Sequence, residues 1–160
     1  MHFSIITEPW IPVEYTDGSN KTISLRTAFS DANNIKDVNC KHDMEKLGIL
    51  RMLCVFFMDI YQPERKTNRL DYLEDDFEMD IFDSYIAECE KNGTSFDLFD
   101  KENPFMQTGI LRMEKDKPIK YAPVSRINDF DCSGDELVFF GGKKETDYSY
   151  SPAKCMRLLC

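Results

Sequence analysis

The sequence predicts an α+β fold in which a small mixed or antiparallel sheet packs against helices. Short segments of β-type residues lie close to the N-terminus, and two helical apolar patterns follow them. A stretch rich in phenylalanine then leads into a last, loop-rich part of the chain. A length of 160 residues is typical of a single domain, and a hydrophobic content of 42% is sufficient for one hydrophobic core. We therefore expect a single α+β domain over residues 1–160.

The first strands are expected around Phe3 and Ile5 and over residues 10–13, where β-type side chains are concentrated. Pro9 and Pro12 flank the only tryptophan. Because proline cannot donate a hydrogen bond to a ladder, this segment is predicted to be a sheet edge or an extended arm.

A hairpin and a short helix are expected next. Asp17-Gly18 is a strong hairpin-turn signal, and Thr22-Ile23 predicts the returning strand. Ser24 is predicted to cap a short helix. Residues 31–39 are mostly polar and predict a loop.

The strongest helical pattern covers residues 43–61, with Asp43 as the expected cap and Pro63 ending it. Apolar residues recur there at helical spacing: Met44, Leu47, Leu50, Cys54, Phe57 and Tyr61. Leu53, Phe56 and Ile60 widen this stripe, so we expect a central helix with little exposed surface.

A second helix is predicted over residues 75–91, with a stop at Asn92-Gly93. Its apolar face carries Met79, Phe82, Ile86 and Cys89 and its other face is acidic. Asp76 and Asp80 would lie one turn apart and could contact a divalent cation. Since charge runs usually form solvated faces and no third ligand is evident, we predict no metal site.

Residues 96–108 are the segment around which the chain is organised. Three phenylalanines, a leucine and a methionine alternate there with acids, and Asn103-Pro104 excludes a regular helix or a central strand. We expect a loop whose apolar side chains, including Phe105, are buried in the core.

The last part of the chain predicts short strands at residues 110–113 and 137–140, a loop over 121–136, and a helix beginning at Ser151-Pro152. That helix reaches Cys160 without a cap, which is expected of a chain that continues in a longer protein.

Composition and motifs exclude several functions. A net charge of −9 disfavours broad adhesion to nucleic acid. Basic residues before and after the long loop nevertheless form a local positive region: Arg112, Lys115, Lys117, Lys120, Arg126, Lys143, Lys144, Lys154 and Arg157. The six cysteines form no C-x-x-C pair, so zinc is not expected, and Cys54, Cys89 and Cys155 are predicted to be buried free thiols. We find no catalytic motif, phosphate loop, signal peptide or membrane span, and expect a cytoplasmic protein without cofactor, whose function the residues alone leave open.

One family matches the order of these features. Asn103-Pro104-Phe105-Met106-Gln107-Thr108 resembles the Pro-Phe-x-Gln motif of the CasA (Cse) family, the large subunit of type I-E CRISPR Cascade complexes. Further stretches similar to that family are Trp10-Ile11-Pro12-Val13, Ser24-Leu25, Leu50-Arg51-Met52-Leu53, Ser133-Gly134-Asp135, Leu137–Phe140 and Ser151-Pro152-Ala153. The resemblance extends over essentially the whole chain but only over the N-terminal part of the family's longer protein. It implies that residues 1–160 are a truncated N-terminal domain, without the C-terminal part of that domain and without the family's helical bundle.

The resemblance implies a non-catalytic subunit of a guide-RNA-directed surveillance complex in antiviral defence. The expected partners are other Cascade subunits, the 5′ handle of the CRISPR RNA, target double-stranded DNA and the helicase–nuclease, with no membrane. Handle contact and recognition of the protospacer-adjacent motif are expected from a loop between residues 125 and 136. Its candidate nucleic-acid-binding residues are Arg126, Asn128, Ser133 and Gly134, with a weaker basic flank of Lys120, Lys143 and Lys144.

Three alternatives remain, and one of them is a metal-dependent nuclease, which an unchanged melting temperature on adding Mn²⁺ would count against. The acidic helix could instead dock a basic protein partner, giving an interaction domain without nucleic-acid contact. The acids of the candidate loop, Asp129, Asp131, Asp135 and Glu136, are also compatible with contact to protein or to the RNA handle rather than to DNA phosphates.

Overall fold

The computed structural model describes residues 1–63, 76–107 and 149–160. The strands expected at 110–113 and 137–140, the loop at 121–136 and a basic bend at 65–69 lie outside these ranges.

A three-stranded antiparallel sheet forms the N-terminal part of the fold. Strand β1 is Ile11–Tyr15, β2 is Asn20–Ile23 and β3 is Ile35–Val38, in the order β2-β1-β3. Side chains of β1 alternate, so that Ile11, Val13 and Tyr15 are buried. With the helices described below, this sheet confirms the predicted α+β class.

The prediction that residues 10–13 form an edge was wrong, because β1 is the central strand. Pro12 is opposite Thr22 in β2, and on the other side its carbonyl accepts the N–H of Asn39 at 2.9 Å. Asn39 is the residue after the last one of β3. Pro12 therefore lies where the β1–β3 ladder ends. The absence of a backbone N–H in proline costs fewer ladder hydrogen bonds there than it would in the middle of the ladder.

Two further strand predictions were also wrong. Residues 35–38 form β3 instead of a loop, although only Val38 is fully buried, so the segment carries a weak apolar signal. Near Phe3 and Ile5 there is no regular strand, only an isolated bridge between Ser4 and Asp97.

The hairpin and the first helix are as predicted. Gly18 has φ of +82° in the turn, a conformation that favours glycine. Helix α1 is Leu25–Ser30, and the Ser24 hydroxyl accepts the N–H of Thr27 at 3.1 Å. A short 3-10 helix, Ala32–Asn34, joins α1 to β3.

Helix α2, Asp43–Tyr61, has the predicted bounds but a different buried face. Ile49, Met52, Phe56 and Ile60 are buried, while much of the predicted stripe is exposed, including Met44 (78%) and Leu47 (49%). The N-cap is His42, which makes no side-chain capping bond, so Asp43 is not the cap. The helix ends at Gln62 in a left-handed conformation, directly before Pro63.

Helix α3, Met79–Lys91, begins four residues later than predicted and buries Phe82 and Ile86 as expected. Asn92 follows it, and Gly93 has φ of +88°. Helix α4, Pro152–Leu159, begins as predicted: the Ser151 hydroxyl accepts the N–H of Lys154 at 3.3 Å.

The core joins the sheet to α1, α2 and α3. Trp10 is fully buried, and its indole Nε1 donates to the carbonyl of Ile5 at 2.8 Å. Phe29 of α1 lies 5.3 Å, between ring centroids, from Phe82 of α3. The cysteine prediction was partly wrong, because Cys54 is exposed and Cys89 and Cys155 are only half-buried.

Candidate nucleic-acid interface

The candidate nucleic-acid-binding residues all lie outside the described residues. They are Arg126, Asn128, Ser133 and Gly134 of the loop, and Lys120, Lys143 and Lys144 of the basic flank. The structure describes the two segments that flank this region in the sequence, residues 96–107 before it and residues 149–160 after it.

The segment before the region is anchored to the N-terminus through Asp97. One carboxylate oxygen, Oδ1, accepts the N–H groups of Phe3 at 2.8 Å and Phe99 at 3.0 Å. The other, Oδ2, is 2.6 Å from Nδ1 of His2. Burial opposes ionisation of Asp97, but these hydrogen bonds outweigh it, so the pKa of the carboxyl lies below its ordinary value.

Backbone contacts reinforce this anchor. The N–H of Ile5 donates to the carbonyl of Phe96 at 3.0 Å, and the N–H of Leu98 donates to the carbonyl of Phe3 at 3.0 Å. Phe96 and Leu98 are buried in the core. The prediction of an irregular segment fixed in the core is confirmed for these residues.

Asp100 organises the turn that follows. Its Oδ1 accepts the N–H groups of Glu102 and Asn103, both at 2.8 Å. These backbone hydrogen bonds hold the pKa of Asp100 below its ordinary value, and the one from Asn103 has the largest effect. Met106 then adopts φ of +55°, unusual for a residue with a side chain, and Gln107 Nε2 donates to the carbonyl of Leu98 at 2.9 Å.

Phe105 is only half-buried, so its predicted complete burial was wrong. Its ring centroid lies 6.0 Å from that of Phe96 and 6.4 Å from that of Phe56 in α2. It forms one wall of a groove of about 500 Å³, which also borders Met52, Val55 and Tyr85. The groove is therefore mainly apolar and lies between α2, α3 and the segment before the candidate loop.

The segment after the region, helix α4, is anchored by Glu45 of α2. Arg157 Nε is 2.5 Å from Oε1 of Glu45, and Lys154 Nζ is 3.1 Å from Oε2. Arg157 Nη1 also donates to the carbonyl of Trp10 at 3.1 Å. Two cations that sequence reasoning placed in the local positive region are thus engaged within the protein.

Sequence reasoning missed Glu45. Its carboxylate meets residues more than a hundred positions away, and a single acid in the first turn of a helix is ordinarily explained by the helix dipole. The sequence signal was limited to an acid next to a wide apolar stripe.

The carboxylates considered for metal binding do not lie on the same helix. Asp76 precedes α3 and accepts a hydrogen bond from Asn33 Nδ2 at 2.7 Å, so it is not one helical turn from Asp80. Over residues 1–63, 76–107 and 149–160, no group of three His, Cys, Asp or Glu side chains is placed to hold a metal ion.

The acidic face of α3 is exposed as expected at Asp80, Glu88 and Glu90. Asp83 is engaged on that face, since its carboxylate accepts two hydrogen bonds from Arg26, at 2.9 and 2.7 Å. Among the helices of the described ranges, none combines the length and the apolar character needed to cross a bilayer.

Comparison with known proteins identifies a family. A family model described as CRISPR-associated protein Cse1 matches residues 5–160. No match was found among curated protein sequences.

Solved structures share the fold over nearly the whole chain. Cse1 from Acidimicrobium ferrooxidans is 27% identical with a TM-score of 0.75, covering 99% of this chain and 28% of that one. Cse1 from Thermobifida fusca is also 27% identical with a TM-score of 0.75, covering 99% of this chain and 29% of that one. A chain of a CRISPR RNA-guided surveillance complex, pre-nicking, has the same fold, with 20% identity and a TM-score of 0.78 over 99% of this chain and 33% of that one. The chain spans about a third or less of these relatives.

Proposed function

The chain belongs to the Cse1 family of CRISPR-associated proteins, and we propose that it acts as a non-catalytic part of the large subunit of a Cascade surveillance complex. Residues 1–160 correspond in this proposal to a part of the N-terminal α+β domain of that subunit. The family match over residues 5–160 is the observation that carries it. The partners are other Cascade subunits, the 5′ handle of the CRISPR RNA, target DNA carrying a protospacer-adjacent motif, and the helicase–nuclease.

In this function, the loop between residues 125 and 136 contacts nucleic acid. Arg126 supplies a guanidinium suited to phosphate or to a guanine edge, and Asn128 supplies an amide suited to an adenine edge. Ser133 and Gly134 have small side chains, which allow the backbone to approach the nucleic acid closely. The positive charges of Lys120, Lys143 and Lys144 favour contact with phosphate. Base pairing with the guide RNA recognises the rest of the target sequence, so the protein itself needs only this local contact with DNA. A net charge of −9 is therefore consistent with the proposed function.

The anchored segments on either side support the proposal. Asp97 joins residues 96–107 to the N-terminus, and Glu45 joins α4 to α2. A contact region whose two ends are fixed loses less conformational freedom when it binds, which favours recognition of a short motif.

The test is target-DNA binding by the chain assembled in its surveillance complex. We would compare the native chain with Arg126→Ala/Asn128→Ala on duplexes with and without the correct adjacent motif. Loss of discrimination between the two duplexes is the expected result. Arg51→Ala, which removes an exposed guanidinium from α2, is the matched control and should leave discrimination unchanged.

Unchanged discrimination in Arg126→Ala/Asn128→Ala would contradict the assignment of motif recognition to this loop. The function of the domain would then be assembly of the complex, and the exposed acidic face of α3 would be the next surface to test.

A further inference from the structure

Helix α2 is apolar on its exposed side as well as on the side that packs against the core. Met44, Leu47, Val55 and Met58 retain between 44% and 78% of their exposure. Their spacing places them along one side of the helix, and we call this set the outward stripe. A helix that is apolar on all sides is ordinarily buried on all sides. We therefore expect the outward stripe to be covered in the assembled protein.

The groove between α2, α3 and the segment at residues 96–107 continues the outward stripe. Val55 borders the groove and so belongs to both. Phe105 and Met106 border it as well, and Met106 is 55% exposed with φ of +55°. A left-handed conformation is costly for a residue with a side chain and is found most often at functional sites. Stripe and groove thus form one contiguous apolar surface, of the kind that marks a site of contact with protein.

The shape of this surface fits a polypeptide segment better than a small molecule. From Met44 to Met58 the stripe extends about 21 Å along the helix axis. Small-molecule sites enclose most of their ligand, whereas the stripe is an open helix face. Together with Met106 in the groove, its methionines suit an apolar protein surface, because methionine side chains adapt to irregular partners.

Cys160 places the continuation of a Cse1 subunit beside this surface. It borders the groove, and its backbone carbon would lie 2.7 Å from a Cβ placed on Gly48 of α2. Met156, one turn earlier in α4, is fully buried, so the end of α4 is fixed against α2. The match covers only 28% and 29% of the Cse1 chains from Acidimicrobium ferrooxidans and Thermobifida fusca. Most of such a subunit lies outside the match, and under the proposed function its continuation begins at the groove.

We propose that the outward stripe and the groove bind the part of the Cse1 large subunit that follows the region matched by this chain. This inference rests on the proposed function, in which the chain is an N-terminal part of that subunit. A segment tethered beside a site has a high effective concentration there, which favours it over a second copy or a separate protein. Its apolar side chains contact the stripe, and its polar groups face Arg51 and Asp59, which border the groove at exposed positions.

The test is site-specific photo-cross-linking in the complete large subunit, assembled in its surveillance complex. A benzophenone side chain replaces that of Val55, and mass spectrometry identifies the peptide that it links on irradiation. We expect a peptide of the large subunit from beyond the matched region. The matched control is the same group in place of the side chain of Thr22, an exposed β-branched residue of β2, which should not link to that peptide.

Any other result at Val55 would overturn the proposal. A link to residues 108–148 would mean that the chain covers its own groove, and a link between two copies would indicate a homodimer interface. A link to a different subunit would assign the surface to assembly of the complex. Absence of a link would show that the surface stays open to solvent.

Met58→Asp tests whether the contact is apolar. Because the occupant would leave the new carboxylate without a partner, we expect the yield of the Val55 cross-link to fall about tenfold. Thr22→Asp introduces the same charge at an exposed position of β2 and should keep the yield within about twofold of native. An undiminished yield in Met58→Asp would overturn an apolar contact at the stripe.

Failure of this inference is distinguishable from failure of the proposed function. If the Val55 cross-link forms as expected while Arg126→Ala/Asn128→Ala leaves discrimination between duplexes unchanged, only motif recognition by the loop is contradicted. If the double variant loses discrimination and Val55 links elsewhere, only the docking surface is contradicted. Absence of the chain from the surveillance complex would contradict both.

Discussion

The carboxylate of Asp97 accepts the backbone N–H of Phe3 at 2.8 Å, although the two residues are 94 positions apart. The same oxygen accepts the N–H of Phe99. One side chain therefore joins the N-terminus to the segment that precedes the candidate nucleic-acid region.

Asp97→Ala should lower the free energy of unfolding by about 2–3 kcal/mol, because charged hydrogen bonds are lost and two backbone donors lose their partner. Urea denaturation at neutral pH measures this change. Asp97→Asn, which keeps one acceptor oxygen, should cost less. Glu88→Ala on the exposed face of α3 is the control, and an equal effect of Asp97→Ala and this control would contradict the anchoring role.

Phe96 and Phe105 should differ in their contribution to stability. Phe96 is 5% exposed, so Phe96→Ala should cost about 3–5 kcal/mol, the usual loss for a buried phenylalanine. Phe105 is half-buried against Phe96 and Phe56, and Phe105→Ala should cost about 2 kcal/mol. Denaturant unfolding of both variants tests the order, and a larger loss at Phe105 would show that its ring is buried more completely than described.

Gly48→Ala should destabilise the protein despite the higher helix propensity of alanine. The propensity gain is about 1 kcal/mol, but the new Cβ would meet the backbone of Cys160 at 2.7 Å. Backbone cannot rotate away as a flexible side chain can, so we expect a net loss of about 1–2 kcal/mol from overpacking. The free energy of unfolding is the measurement, with Val55→Ala on the exposed side of α2 as the control. A stabilised Gly48→Ala variant would show that α4 is not held against Gly48.

The contribution of Glu45 to stability should depend on pH. Burial raises the pKa of its carboxyl, but hydrogen bonds from Lys154 and Arg157 outweigh burial, so the folded pKa lies below the ordinary value of 4.5. Because the pKa is lower in the folded than in the unfolded chain, the stabilisation is complete above about pH 4.5 and is lost as the pH falls through the folded pKa.

Urea denaturation of the native chain and Glu45→Gln between pH 7 and pH 3 measures this dependence. The difference in unfolding free energy should be largest at neutral pH and should shrink below the ordinary pKa of a glutamate. Val55→Ala, at an exposed position of α2 and without a change of a titratable group, should show no such trend. A constant difference for Glu45→Gln over the whole range would mean that its charge does not stabilise α4.

Local signals in the sequence determined several elements correctly. Ser24 and Ser151 cap α1 and α4, Gly18 forms the hairpin turn, and α2 extends from Asp43 to Tyr61 as predicted. Each of these features depends on residues within a few positions of one another, so the sequence contains the necessary information. The family resemblance was likewise available from the order of short motifs, and the family match confirms it.

Only the tertiary structure decided which surfaces meet. It placed Pro12 in the central strand, paired residues 35–38 with β1, and buried Met52 and Phe56 of α2 while leaving Met44 exposed. The pairing of Glu45 with Arg157 likewise joins residues 112 positions apart. Propensity and periodicity describe one segment at a time, whereas strand neighbours, buried helix faces and ion pairs depend on which distant segments compete for the same core.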